Sequence, residues 1–520
     1  MYACLIDDLD HVVWKDFFGG SDEDQGARGI AVREGTDPKV YVGGWTSCTD
    51  FYCFDANPGN DYFDDTGSGM GSNGFIVRLN QVDGVLEHST YFGTGTPVNE
   101  VADITIDPSG RLIAVGTITP GNLPTHQVAL PPGAEQWPYG GAEDGYVALF
   151  NLNDQVLWST PWGGSGSDGA VTVRAKGNKI VVVGHTGSVV FPQTLNGGGN
   201  WNQSTTLGLG DVVILEFNLN GDQQWGALFG GSGMDQVGWH GLDIDPVTSD
   251  IYVVGYTRST DLPLYHPNDW YDATPPPAGI GNGFIAEFSN SRNRLWVTYA
   301  GSSDEAYLHA VRISQDRQIF IGGYAAAGFP CQPRPGLYST ATLLGGQDGV
   351  VMHFDAAHQY LWGTYLGGEN SERIYTIAVK EGERLYTCGY TTTQYLPAEL
   401  LPLTDENIPG SWFEDVRQGS LDGYLAAFCF DDVVGILSPV GTVPAELRAW
   451  TDVSGHLFVA GATPGMQPLL MCDPTGRVAL HMQVRVPSDA PLRIDPGSLA
   501  AGAYVLSIGD RSAKVAVLQP

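Results

Sequence analysis

The residues best suited to chemistry in this chain lie in its least regular stretches. "DANPGNDYFDD" crowds Asp55, Asn57, Asn60, Asp61, Asp64 and Asp65 into one short segment. Hard oxygen donors at that density suit Ca2+, which makes the segment a candidate calcium loop. The spacing is not that of an EF-hand, and a solvated acidic loop is the plainer reading. Trp137, Trp201, Trp270 with Tyr271, and Trp412 form a second set, each beside Pro, Gly or acidic residues. Flat rings on loops can stack on a sugar or a protein partner; they can equally pin their own loop to the fold. No GxSxG, HExxH, P-loop or sialidase-type Asp box occurs, so no catalytic residue is nominated.

The elements that position these residues repeat. A glycine recurs at Gly19, Gly93, Gly163, Gly230, Gly301 and Gly367, doubled in all but the second and fifth, at intervals of about 70 residues. Five positions earlier stand Trp14, His88, Trp158, Trp225, Trp296 and Trp362. A second glycine follows at Gly44, Gly116, Gly184, Gly255, Gly323 and Gly389, and an Asp or Asn then opens an alternating run such as "DGYVALFN". Each unit reads as four strands, a to d: "LWGTYLGG", "IYTIAVK", "RLYTCGYT", "DGYLAAFC". Four antiparallel strands repeated around an axis make a β-propeller, in which neighbouring sheets cover each other's apolar faces. The strand-a tryptophans then fill the joints between sheets. The double glycines supply positive φ at the a–b turn, and the acids after them (Asp24, Asp168, Asp235, Glu372) accept turn N–H groups or hold a ring of cations. Six complete units are visible, and "YACLIDD" matches the last strand of a seventh. Met1 stands where that strand's Gly belongs, so a blade lost upstream, or a strand closing the ring from outside, is expected.

The pattern "WxxxxGGSGxD…VVGYTxSxDLP…DGFIAxF" resembles the SBBP repeat family of bacterial β-propellers. The fourth unit is nearest to it, with "WGALFGGSGMD" and "IYVVGYTRSTDLP", and the resemblance spans roughly residues 1–430. It implies a propeller and no defined reaction.

The c–d connections (47–72, 119–143, 187–210, 258–281, 326–347 and 392–421) exceed the ~12–15 residues usual in compact folds, which marks their end of the ring as the binding face. His240 and His309 fall at matching places at the start of strand b and could share a metal. Arg28, Ala102, Gly169 and Tyr375 at the same place in other units argue against it.

The repeat ends near 432. Residues 433–444 read as a linker and 445–520 as a small β-sandwich. "DPTGRV", "LAAGAY" and "KVAVL" (Gly476, Arg477, Gly502, Tyr504, Lys514) resemble the C-terminal sorting domain of the type IX secretion system. That resemblance implies export to the outer-membrane surface or the exterior of a Gram-negative bacterium, and the export signal it requires is not in this sequence. "DVSGHLFVAGAT" also mimics a propeller hairpin, so a degenerate seventh blade is the rival reading. Cys48 and Cys53 could close a small disulfide after export, whereas Cys4, Cys388 and Cys429 lie in apolar runs and read as buried thiols.

The net charge of −33, from 58 acids and 25 bases, excludes a nucleic-acid partner. No apolar run approaches the ~20 residues of a membrane span. The expectation is therefore an all-β, non-enzymatic binding or adhesion propeller taking an extracellular glycan or protein. An extracellular polysaccharide- or peptide-degrading enzyme, with acids around the central funnel, is the alternative.

Overall fold

Every regular element in the computed structural model is a strand; no helix occurs among the described residues. Those are 1–7, 11–21, 26–69, 71–93, 98–124, 138–191, 201, 203–266, 269–301, 304–334, 337–380, 384–393 and 422–429, together with the strands between 448 and 517. The chain divides into two units, Met1–Val434 and Gly435–Pro520.

In the first unit, β1 (Tyr2–Ile6) and β2 (Val12–Phe17) pair alone. The first full sheet orders β3 (Gly26–Arg33), β4 (Lys39–Thr46), β6 (Asn73–Asn80) and β7 (Leu86–Phe92), with β5 (Phe54–Asp55) added outside β7. The second holds β8 (Glu100–Ile106), β9 (Leu112–Ile118), β10 (Asp144–Phe150) and β11 (Val156–Trp162). The third holds β12 (Asp168–Lys176), β13 (Lys179–Thr186), β14 (Asp211–Asn218) and β15 (Gln223–Phe229). β16 (Asp235–Ile244), β17 (Ile251–Thr257), β18 (Asn282–Phe288) and β19 (Arg294–Tyr299) make the fourth. β20 (Ala306–Ile313), β21 (Ile319–Ala325), β22 (Asp348–Phe354) and β23 (Tyr360–Leu366) make the fifth. β24 (Glu372–Lys380), β25 (Arg384–Thr391) and β26 (Asp422–Cys429) form a three-stranded last sheet.

This framing corrects the unit drawn from the sequence. Strand a does not share a sheet with the strand b that follows it; β11 pairs with β10 before it, while β12 opens the next sheet. Each sheet is therefore b–c–d–a, and the double-Gly turn crosses from one sheet to the next. The first strands pack against each other in chain order, β3 to β8, β12, β16, β20 and β24, which makes them the inner strands of a propeller-like ring. Asp103 on β8 ties this hub by accepting from Thr172 Oγ1 (2.9 Å) and the Val173 N–H (3.0 Å) on β12. Asp243 on β16 does the same for the Ile313 N–H on β20 (2.8 Å).

Strands between two covered faces need not alternate in polarity. β9, β10, β17, β18, β21 and β22 are buried at every position, and apolar clusters lie between consecutive sheets. Trp158, Trp225, Trp296 and Trp362 are under 2% exposed. Each lies over a Phe from the third strand of the next sheet: Phe217, Phe288, Phe354 and Phe428 respectively, at centroid distances of 5.2–6.4 Å. Trp14 donates to the Gln81 carbonyl (2.8 Å) of the first full sheet.

Two classes of repeated glycine have steric causes. A Cβ on Gly116, Gly184, Gly255, Gly323 or Gly389 would stand 1.7–2.1 Å from a carbonyl oxygen of the inner strand. A Cβ on Gly163, Gly230 or Gly367 would strike converging carboxylates, Asp144 with Asp168 at the first of these. The expected positive φ is found at Gly19 and Gly93 and not at Gly163, Gly230, Gly301 or Gly367, so crowding and not backbone handedness demands glycine there.

Among the described residues the second unit has two sheets. One orders β27 (Arg448–Thr451), β28 (Leu457–Ala460) and β31 (Leu492–Ile494). The other orders β30 (Val478–Val486), β29 (Gly465–Cys472), β32 (Gly502–Ile508) and β33 (Arg511–Val517). Leu457 with Val459, Leu469 with Met471, and Leu506 with Ile508 are buried, the period of two expected of one covered face. Tyr504 pairs with Val515, Gly502 with Val517 and Lys514 with Val505, while Gly476 and Arg477 lie outside the described residues.

Candidate functional site: an aromatic well at the hub

Every inner strand carries a bulge. β3, β8, β12, β20 and β24 each spend two residues where their partner spends one, setting aside Arg28, Ala102, Val171, His309 and Tyr375. The repeated glycine of the second strand sits opposite, where its missing side chain admits the bulged backbone. β16 departs further: between Val237↔Gly255 and Leu242↔Val253 it sets four residues, "GWHG", against the single Val254. A Cβ on Gly238 would stand 2.4 Å from the Leu308 carbonyl, so the enlarged bulge presses onto β20, where His240 bridges Ala310.

The bulges meet at the centre. Trp239 stacks on Tyr375 (4.5 Å, 20°), and the Arg28 guanidinium lies 4.4 Å from its ring, a cation–π contact between the first and fourth sheets. His309 stacks on Tyr307 (4.4 Å) and meets Tyr375 edge-on (4.9 Å). Arg373 lies 4.1 Å over Tyr324 and donates to Gln347 Oε1 (2.8 Å). Trp239, Tyr307, His309, Tyr324, Arg373 and Tyr375 border a cavity of about 330 Å3. His309 is 4% exposed and neither ring nitrogen has a hydrogen-bond partner. Burial first, then the Arg373 and His240 charges, push it down to about 3, so the ring is neutral. Trp239, by contrast, is 36% exposed. The well thus offers flat rings, the Arg373 guanidinium and an unspent imidazole inside a strongly acidic protein, with Arg28 held against Trp239.

The other sequence candidates fall elsewhere. Trp201 donates to the Leu228 carbonyl (2.8 Å), sits under Arg294 (4.3 Å) and lends its own carbonyl to Trp225. Trp270 packs on Phe354 and Tyr360 and lends its carbonyl to Trp296 (2.8 Å); Tyr271 stacks on His266. These rings pin their own loops to the sheets. Trp137 and Trp412 lie outside the described residues. His240 and His309 lie on one bulge level with no carboxylate among the described residues bordering the well, which gives no reason for them to share a metal.

The a–b acids are turn acceptors. Asp168 takes the Gly164 N–H (2.7 Å) and Ser188 Oγ (2.8 Å), and Asp235 takes Gly231 and Ser259 likewise. Glu372 takes Gly368, Thr391 and Thr393; Asp24 lies outside the described residues. Each of these buried carboxylates faces a second from the preceding sheet: Asp144 with Asp168, Asp211 with Asp235, Asp348 with Glu372. Burial, with the neighbouring carboxylate, pushes Asp211 and Asp348 up to about 6. Where the second acid is replaced by Ala306, the first is Asn282.

The candidate calcium loop disperses. Asp55 caps the Asn57 N–H (2.7 Å), Asn57 accepts from Asn60 (2.8 Å), Asp64 caps Thr66 (2.9 Å) and Asp65 faces solvent. Only Asp55 and Asp61 converge, and they do so on His88. Burial and Asp55 push Asp61 up to about 6, while burial and Arg78 push His88 down to about 4. Cys48 and Cys53 are not joined in a disulfide: Cys48 is buried, and Cys53 points at the Asp64 carbonyl (3.7 Å). Cys4 and Cys388 are exposed, contrary to the buried thiols expected, because they stand out of phase with the buried positions of their strands, Ala3 on β1 and Leu385, Thr387 and Thr391 on β25; Cys429's side chain lies outside the described residues.

No protein-family model and no curated protein matches the chain. Among solved structures it is similar to a quinohemoprotein alcohol dehydrogenase from Comamonas testosteroni, at 12% identity and TM-score 0.34, covering 84% of this chain and 64% of that one. A fungal alcohol oxidase of the AA5 family is similar at 12% identity and TM-score 0.31, over 96% and 99% of the two chains. An acylaminoacyl peptidase from Pyrococcus horikoshii is similar at 8% identity and TM-score 0.33, over 90% and 52%. The chain thus spans just under two thirds of the dehydrogenase's length. At such TM-scores none of these likenesses bears on this chain's chemistry.

Proposed function

We propose that the chain is a secreted or cell-surface binding propeller whose ligand seat is the hub well. The ligand is an extracellular glycan or peptide that presents a carboxylate beside a flat or cyclic face. The observation that carries this is the enlarged β16 bulge, which alone sets Trp239 against Tyr375 and under Arg28. Stacking rings supply apolar contact at small entropic cost, and the guanidinium groups draw an anion into a protein whose net charge otherwise repels it. The carboxylates tying the inner strands are already engaged, Asp103 by Thr172 and Arg174 and Asp243 by the Ile313 N–H, which favours binding over acid–base hydrolysis. In the same proposal the ring counts six blades, with β1–β2 a further half-sheet. Residues 445–520 form the sandwich that directs type IX export, as Gly502, Tyr504 and Lys514 suggest by resemblance.

A glycan and peptide array with the purified protein tests the reading. Binders should be enriched in carboxylates, and Trp239→Ala or Arg373→Ala should weaken them about tenfold or more, as interface anchors do, while Trp270→Phe leaves affinity unchanged. An array without binders, alongside measurable hydrolysis of a polysaccharide or peptide, would replace this reading with the enzyme.

A further inference from the structure

The first full sheet breaks the tryptophan rule, and the break makes a site. His88 stands where Trp158, Trp225, Trp296 and Trp362 stand in their sheets. Among the described residues, this sheet alone gains a full extra edge strand from its long connection, β5, which pairs Asp55 directly with His88. Side chains on directly paired residues lie on one face, so Asp55 and His88 are neighbours by register. Asp61, six residues on, closes the group from the loop.

We propose that Asp55, Asp61 and His88 form a site for a divalent cation of the Zn2+ type, clamping the 47–72 connection onto the first sheet. One donor atom from each residue lies within 4.8 Å of the other two. His88 Nδ1 and Asp61 Oδ2 are 3.3 Å apart, the separation that two ligand bonds of about 2.0–2.2 Å subtend in a tetrahedral site. His88 and Asp61 are 3% and 5% exposed, and His88 Nδ1 and both Asp61 oxygens lack hydrogen-bond partners. Buried polar atoms are rarely left so, and His88 Nδ1 and Asp61 Oδ2 stand close enough to share one missing partner. Among the described residues the cation paired with Asp61 is Arg78, which lies 3.7 Å away and is divided with Asp154 and Glu87 (3.3 Å). Asp55 is half-buried and gives the ion an entry.

The donor set selects the metal. Ca2+ takes six to eight oxygens, and the other oxygens of this loop are turned away: Asn57 to Asn60, Asp64 to Thr66, Asp65 to solvent. One imidazole with two carboxylates suits Zn2+ and its first-row neighbours instead. Three protein ligands leave a coordination position for water.

The test uses the full chain stripped with EDTA and titrated with ZnCl2, then CaCl2, by calorimetry, with metal content by mass spectrometry. One saturable Zn2+ per chain is expected. His88→Gln and Asp55→Asn should each weaken it at least about tenfold, while the metal-free variants melt near the metal-free parent. Zn2+ should also slow proteolysis within 47–72 in the parent and not in His88→Gln. Absence of saturable Zn2+ binding, or Zn2+ binding indifferent to His88→Gln, overturns the site. Ca2+ binding that persists in His88→Gln restores the oxygen-only loop in its place.

Discussion

At the scale of single residues, the same amino acid has different duties according to which sheet its strand joins. Four tryptophans are spent between sheets, where indole and a partner Phe fill a joint and the indole N–H is used on a loop carbonyl. Trp225→Ala should cost about 3–5 kcal/mol in urea unfolding, the usual loss for a fully buried large ring. The carboxylate pairs make a second prediction. Asp211 and Asp348 are held above their ordinary range, so the folded state keeps a proton that the unfolded chain has lost. Their stability contribution is complete below about pH 4 and disappears as pH rises through about 6. Asp211→Asn, which copies the Asn282 solution, should therefore melt higher than the parent at pH 8, by the equivalent of roughly 1–3 kcal/mol, and show little gain at pH 4. An equal effect at both pH values would mean that the pair does not share a proton.

At the scale of elements, the bulge and its glycine form one device. The inner strand kinks outward, and the second strand gives way by omitting a Cβ. Gly323→Ala would place a methyl 2.1 Å from the Tyr307 carbonyl and should destabilise by about 1–3 kcal/mol, as overpacking does. The same change should perturb near-ultraviolet circular dichroism, because Tyr307, Tyr324 and His309 are stacked on that bulge. The repeated glycine was plain in the sequence. What it admits was not, because a bulge is defined by register between two strands and leaves no composition of its own. The "GWHG" surplus was visible only as a histidine that nearly matched another.

At the scale of the whole molecule, the charge of −33 is carried by a fold whose centre holds arginine. Surface self-repulsion is screened by salt over about 10 Å at 0.1 M, so thermal stability should rise between low salt and 0.5 M NaCl. Binding of a carboxylate ligand in the hub should weaken over the same range. A flat melting temperature across that series would show that the acids are already locally balanced.

The sequence by itself determined the all-β class, the repeating four-stranded unit and the places of the joint-filling tryptophans. These follow from local alternation and from landmarks recurring at one interval, both properties of neighbouring residues. It misplaced the sheet boundary, because whether strand a pairs backward or forward is a choice between equal local patterns that only hydrogen bonding settles. Tertiary structure alone decided the two sites. Arg28 reaches Trp239 from across the ring, and Asp61 reaches His88 through a loop and an edge strand. Such meetings depend on how sheets pack around a hub, which no interval along the chain records.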